Sequence, residues 1–240
     1  LENTLFYDQP IINLLNMSSG SQNYAHTVYG LLGSDRWVNS VSVQSIMKKE
    51  LKNSEIARLR YNYSNLDTNI VASYVLYKMG HKEFKNLLNE ILVDKAGIEH
   101  DLWLFKQVPS SKLATLTYSY YASRYDYLRI AVAMLEDWNN NTCEGQYLKS
   151  LFENRIKKID PSDPTAWTFV SLSDDGWGST STYGGQFHMD ITEMEDRPIF
   201  VMDGYGGQSH NIDFENNKII SIMAIHRDYD WMKLVHQKLK

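Results

Sequence analysis

Tyr61 to Gly80 read YNYSNLDTNIVASYVLYKMG, and the reading of this stretch organises the rest of the chain. Its apolar residues at Ile70, Val71, Tyr74, Val75 and Tyr77 fall on one face of a helix rather than alternating as in a strand. The spacing therefore predicts a helix entered from a polar, aromatic turn. Tyr63, Ser64 and Asn65 stand at its entrance, where Asp67 or Asn65 can offer a short side-chain oxygen to the orphaned backbone N–H groups of the first turn. A phenol and a carboxamide two residues apart at a helix entrance suit a proton shuttle and a substrate clamp.

The surrounding composition narrows the class. With 240 residues and 43% hydrophobic content, the chain can bury a substantial core. A net charge of −5 with both signs interspersed argues against a nucleic-acid partner, which needs a concentrated basic surface. Six Trp and sixteen Tyr suit a pocket for an apolar or amide-bearing small molecule, though an aromatic core explains any one of them equally well. The longest apolar runs, IISIMAI and IAVAML, are far too short to span a membrane. The single cysteine, Cys143, cannot form an intramolecular disulfide, matches no cysteine-hydrolase signature and leaves the compartment unassigned.

Upstream, Ile11 to Met17 reads as a short apolar helix after the Gln9-Pro10 turn, closed by the small-residue turn of LLNMSSG, Leu14 to Gly20. Downstream, FKNLLNEILVDKAGIEHDLWLF predicts an amphipathic helix ended by Gly97. In ASRYDYLRIAVAML, Ser123 and Asp126 read as helix-capping residues rather than a catalytic pair.

After Asp160-Pro161 and Asp163-Pro164 the composition shifts to Gly, Ser, Thr, Trp and β-branched residues. Strands are predicted at Gly184 to Ile191, Pro198 to Met202, Gln208 to Phe214 and Lys218 to Ile225, followed by an amphipathic helix in DYDWMKLVHQKL. The expected organisation is a mainly helical region over 1–160 carrying Tyr-x-Asn, then antiparallel strands and a last helix over 161–240. Together these form one α+β domain. YGGQFH at Tyr183 and YGGQSH at Tyr205 make a local repeat, read as two strands with equivalent edges. His188, His210 and His226 near Asp190 and Asp213 raise a metal-dependent alternative, but their spacing fits no zinc signature; we expect no metal and no cofactor.

LLNMSSG, YSN at Tyr63 to Asn65 and DGYGGQ at Asp203 to Gln208, in that order, resemble the penicillin-recognising serine hydrolases, the group of serine β-lactamases, D-alanyl-D-alanine carboxypeptidases and related esterases. The long first spacing and the GYGGQ ending look most like its 6-aminohexanoate-oligomer hydrolases. The resemblance implies a β-lactamase/transpeptidase-like fold and cleavage of an amide or ester through an acyl-enzyme. Within it, Tyr63 would move the proton, Asn65 would orient the substrate, and the Tyr205 N–H would donate to the oxyanion. Gly204 and Gly206 would let the backbone approach the ligand, and Tyr24 would contact the substrate from a lid. Met202-Asp203-Gly204 occupies the strand triad, and its lack of Lys or His speaks against recognition of a substrate carboxylate.

The family's nucleophile, Ser-x-x-Lys, should precede Leu14, and the thirteen residues before it contain no serine. Ser45-Ile46-Met47-Lys48 matches the pattern literally but follows LLNMSSG instead of preceding it. We therefore expect a fragment of a longer hydrolase, with a non-catalytic binding protein of the same fold as the alternative. Outer strands supplied from elsewhere would leave sheet edges exposed here, through which copies of the chain could associate.

Overall fold

The computed structural model describes residues 5–20, 61, 63, 65–101, 103–107, 117–158, 180–204, 207–223, 226 and 229–240. They belong to two compact units, Leu1–Leu87 with Leu102–Tyr121, and Leu88–Asp101 with Ala122–Lys240.

The first unit holds α1 (Ile11–Leu15), most of α2 (Asn65–Leu88), and the antiparallel pair β1 (Trp103–Gln107) and β2 (Thr117–Tyr121). The predicted long helix is present and begins at Asn65, with Asp67 in its first turn, where a negative charge complements the helix dipole. Ile70 and Leu76 are buried, whereas Tyr77 is 84% exposed, so the inward face is narrower than the apolar periodicity suggested. Gly80, at φ 76° and ψ 165°, breaks the helical path inside α2, a conformation that glycine adopts without steric cost.

In the second unit, a π-helical turn at Asn89–Lys95 continues α2 and stops at Gly97, φ 66°, whose N–H reaches Val93 O at 3.1 Å while the Ile98 N–H reaches Leu92 O at 3.1 Å. Next come α3 (Arg124–Asn140) and α4 (Cys143–Glu153). Ser123 caps α3 by accepting from the Asp126 N–H at 3.2 Å, and Thr142 caps α4 by accepting from the Gly145 N–H at 3.1 Å.

Six strands then follow in sequential order as an antiparallel meander: β3 (Ile156–Lys157), β4 (Thr180–Gly184), β5 (Phe187–Ile191), β6 (Ile199–Gly204), β7 (Gln208–Asp213) and β8 (Lys218–Met223). The last element is α5 (Trp231–Leu239). The architecture is thus α+β, as the sequence implied.

Strand alternation sends successive residues to opposite faces. Ile199, Val201 and Ile222 pack with Trp231, Met232, Val235 and Leu239 of α5. On the other side Phe200 and Phe214 meet Trp138 of α3, with Phe214 stacked at 4.4 Å between ring centroids. Complete burial of such side chains contributes about 1.5–3 kcal/mol each.

The strand reading differs from the structure at the first YGGQ repeat. The predicted strand at Gly184 to Ile191 is two strands, because Gly185 (φ 57°) and Gln186 (φ 75°) form a two-residue hairpin turn with both φ values positive. The first YGGQ repeat is therefore a hairpin turn rather than a strand edge. In the second repeat the Gly207 N–H returns to Gly204 O at 3.2 Å, and Gly204 pairs with Gln208 across the next hairpin.

Candidate functional site

Two of the three motifs meet inside the first unit. The turn after α1 is held by the Ser18 N–H to Asn13 O at 2.7 Å and by Gln9 Nε2 to Ser19 O at 2.6 Å. Ser19 Oγ then donates to Asp67 Oδ1 at 2.8 Å, with both residues buried. LLNMSSG is thereby fixed to the first turn of α2. Tyr63 lies half-buried just before that helix and Asn65 is its first residue. Tyr61, two residues upstream, is buried; burial, then the neighbouring Tyr63, pushes its phenol well above the usual tyrosine range. Of this pair, Tyr63 is the less buried phenol. Tyr24, Ser45 and Lys48 lie outside the described residues.

The third motif is in the second unit. Met202, Asp203 and Gly204 form the half-buried end of β6. Asp203 Oδ1 accepts from the Gly204 N–H at 2.9 Å. A Cβ on Gly204 would come within 2.8 Å of the Gln208 side chain, so the Gln208 side chain packs over this glycine. Tyr205 and Gly206 lie outside the described residues.

Lys158, which the sequence offered only as one of the cations of RIKKID, is 2% exposed at the end of β3. Its Nζ donates to Thr180 O at 2.9 Å and to Thr180 Oγ1. Burial lowers its pKa to about 7, against the opposing pull of Asp203. His188 on β5 is buried and packs edge-on against Tyr183 at 5.0 Å. Burial and then the charge of Lys158 hold its pKa well below the histidine range, so His188 is neutral at pH 7. Nothing in RIKKID marks Lys158 as the buried member; its burial follows from the strand pairing alone.

The metal-dependent alternative meets a geometric obstacle. His188 pairs with Val201, and His210 with Met202, so the two imidazoles project to opposite faces of the sheet. His210 Nδ1 lies 2.8 Å from Ser221 Oγ and its ring 5.2 Å from that of Tyr127. Asp190 is held by Arg155 at 2.8 Å, and Asp213 by Arg197. Among the described residues no three His, Cys, Asp or Glu side chains cluster to hold a metal.

Ser123, His100 and Asp126 also come together. Ser123 Oγ donates directly to Asp126 Oδ2 at 2.7 Å, and His100 Nδ1 lies 3.0 Å from the same oxygen and 3.4 Å from Ser123 Oγ. A triad needs the ring to bridge carboxylate and hydroxyl through its two nitrogens, whereas here one nitrogen faces both. Burial alone would raise the Asp126 pKa, but hydrogen bonds from the Glu99 N–H, Ser123 and His100 outweigh it and bring it to about 2. The cluster is a clamp on the start of α3, in keeping with the capping role expected of Ser123.

No family profile matches the sequence, and no curated protein matches it. Its fold does have counterparts among solved structures. One is titled "Putative 6-aminohexanoate-dimer hydrolase from Bacillus anthracis", at a TM-score of 0.63 and 16% identity. That match covers 100% of this chain, which spans 61% of the other. The two share a related α+β fold.

Proposed function

We propose that this chain is the greater part of a serine hydrolase that opens an amide or ester bond through an acyl-enzyme, of the kind that acts on 6-aminohexanoate oligomers. The observation that carries the reading is the fold likeness, which extends over the whole chain to a structure bearing that hydrolase title. The junction of LLNMSSG with the α2 entrance supports it by fixing the segment that presents Tyr63.

In this mechanism a serine in Ser-x-x-Lys, from residues beyond these 240, attacks the substrate carbonyl carbon. Tyr63 and the partner lysine take the Oγ proton and pass it to the leaving amine or alcohol as the C–N or C–O bond breaks. Asn65 orients the substrate amide. The Tyr205 N–H, with that of the serine, stabilises the tetrahedral oxyanion, worth several kcal/mol of barrier. Water then attacks the acyl-serine ester and releases the acid. Gly204 and Gly206 let the backbone lie close to the substrate, and Tyr24 covers it. The substrate is a small amide or ester.

The test is turnover of a short-chain nitrophenyl ester and of a 6-aminohexanoate dimer by the product of the full reading frame, with and without Tyr63→Phe. We expect turnover that falls by about 10²-fold or more in the variant, chiefly in kcat. A folded full-length protein with no turnover would point instead to a binding protein that keeps the fold without the chemistry.

A further inference from the structure

Two charged side chains of the six-stranded sheet take no part in the mechanism above: Lys158, which follows β3, and Asp203, near the end of β6. Strand order places β4 and β5 between them. The Lys158 N–H donates to Ser181 O at 2.9 Å, which carries the β3–β4 ladder past Lys157, and Nζ holds Thr180 on the same strand. Further along, Tyr183 pairs with His188 on β5, and His188 with Val201 on β6. Asp203, two residues beyond Val201, shares its face of the sheet.

Lys158 and His188 are buried at this row, and a charge at such depth persists only where another offsets it. Lys157 is exposed, and Asp190 is taken by Arg155 at 2.8 Å and Thr182 at 2.9 Å. His188 is neutral at pH 7, and the Lys158 charge helps to keep it so. Among the described residues the anion that acts on Lys158 is Asp203. Asp203 in turn holds the main chain, for its Oδ1 accepts from the Gly204 N–H at 2.9 Å. The next N–H along the chain, that of Tyr205, is the oxyanion donor of the proposed mechanism. A carboxylate so close in sequence to that donor opposes negative charge on the carbonyl oxygen, and a nearby cation removes the opposition.

We infer that Lys158 is the counter-charge of Asp203 and that, by neutralising this carboxylate, it lets the strand end at Gly204 stabilise an oxyanion. Lys158 touches no substrate in this arrangement and acts only through Asp203. The role rests on the hydrolase reading and adds to it a charge pair that the reaction depends on.

The experiment is a double-mutant cycle of Lys158→Met and Asp203→Asn in the product of the full reading frame, scored by nitrophenyl ester turnover at pH 6 and pH 9. At pH 6 Lys158 carries its proton, and Lys158→Met should lower kcat about tenfold with KM little changed, because the opposed charge develops only in the transition state. Asp203→Asn keeps an acceptor for the Gly204 N–H without the charge, so adding it should restore most of the loss. At pH 9 Lys158 has given up its proton in the folded chain, and the effect of Lys158→Met should shrink to about twofold or less. Single effects that simply multiply in the double variant, or a Lys158→Met loss equal at both pH values, would overturn the inference and leave the hydrolase reading standing. A folded wild type without turnover would remove the hydrolase reading and this role with it. Should Lys158→Met fail to fold, Asp203→Asn alone decides the pairing. Without its anion Lys158 should titrate at lower pH than in wild type, read from the pH dependence of urea stability, and an unmoved titration would overturn the inference.

Discussion

Lys158→Met should change how stability depends on pH, and in a defined direction. In the folded chain Lys158 is buried, with a pKa of about 7 against the ordinary 10.5. Below pH 7 both folded and unfolded chains carry the proton, and the folded state bears the full penalty of a buried charge. That penalty falls as pH rises from the folded pKa toward the unfolded one, because only the unfolded chain then keeps the proton, and it is gone above about pH 10.5. The slope in this window approaches 1.4 kcal/mol per pH unit, so between pH 7 and 9 Lys158 alone should add about 2 kcal/mol to stability. The methionine variant lacks this slope, although it removes the two hydrogen bonds from Lys158 to Thr180 at every pH, a loss of about 1–3 kcal/mol. Urea denaturation of both proteins at pH 7, 8 and 9 isolates the difference. The wild type should gain on the variant by about 2 kcal/mol across the series. Parallel pH profiles would refute the assignment of Lys158 as a buried lysine titrating near neutrality.

Other substitutions probe separate links in the account. Ser19→Ala removes the donor to buried Asp67; chemical denaturation should show a loss of about 1–3 kcal/mol, and turnover by the full-length protein should fall as the α2 entrance loosens. Gly145→Ala places a Cβ 1.9 Å from Asp137 O, a backbone atom that cannot step aside, and should destabilise by about 1–3 kcal/mol or more, read as a lower urea midpoint. Gln186→Gly relieves a non-glycine residue at φ 75° in the β4–β5 turn and should stabilise the chain by about 0.5–1 kcal/mol, read as a higher urea midpoint; a lower one would mean that the Gln186 side chain contributes more than its backbone strain removes.

What could be read from the sequence follows from how local each signal is. The run from Asn65, the stop at Gly97 and the cap at Ser123 each depend on residues within a few positions of one another, and each stands where it was expected. The shift to strands after residue 160 and the closing amphipathic helix were legible for the same reason, and with them the α+β class. The β4–β5 hairpin was hidden because its turn uses Gly-Gln, not the Asn-Gly or Asp-Gly pairs that usually announce two consecutive positive φ values. The Ser19 to Asp67 hydrogen bond joins residues 48 positions apart, and no periodicity reports such a contact. Lys158 was invisible for a related reason, since only the pairing of β3 with β4 distinguishes it from exposed Lys157 beside it. At the candidate site, Tyr63 and Asn65 stand at the helix entrance as expected, and Gly204 ends its strand at a tight hairpin. A role for each of them in one chemistry can be proposed only from resemblance, since phenol, carboxamide and glycine have no fixed spacing that the chemistry demands.

The most direct measurement of the hydrolase reading is intact mass after a serine-directed fluorophosphonate, applied to the full reading-frame product and to the 240-residue chain. The account predicts one adduct per full-length chain, on the serine of a Ser-x-x-Lys beyond these residues, and none on the 240-residue chain. An adduct mapped to Ser45 would contradict the placement of the nucleophile. A folded full-length protein that takes no adduct and turns over no ester would contradict the hydrolase itself.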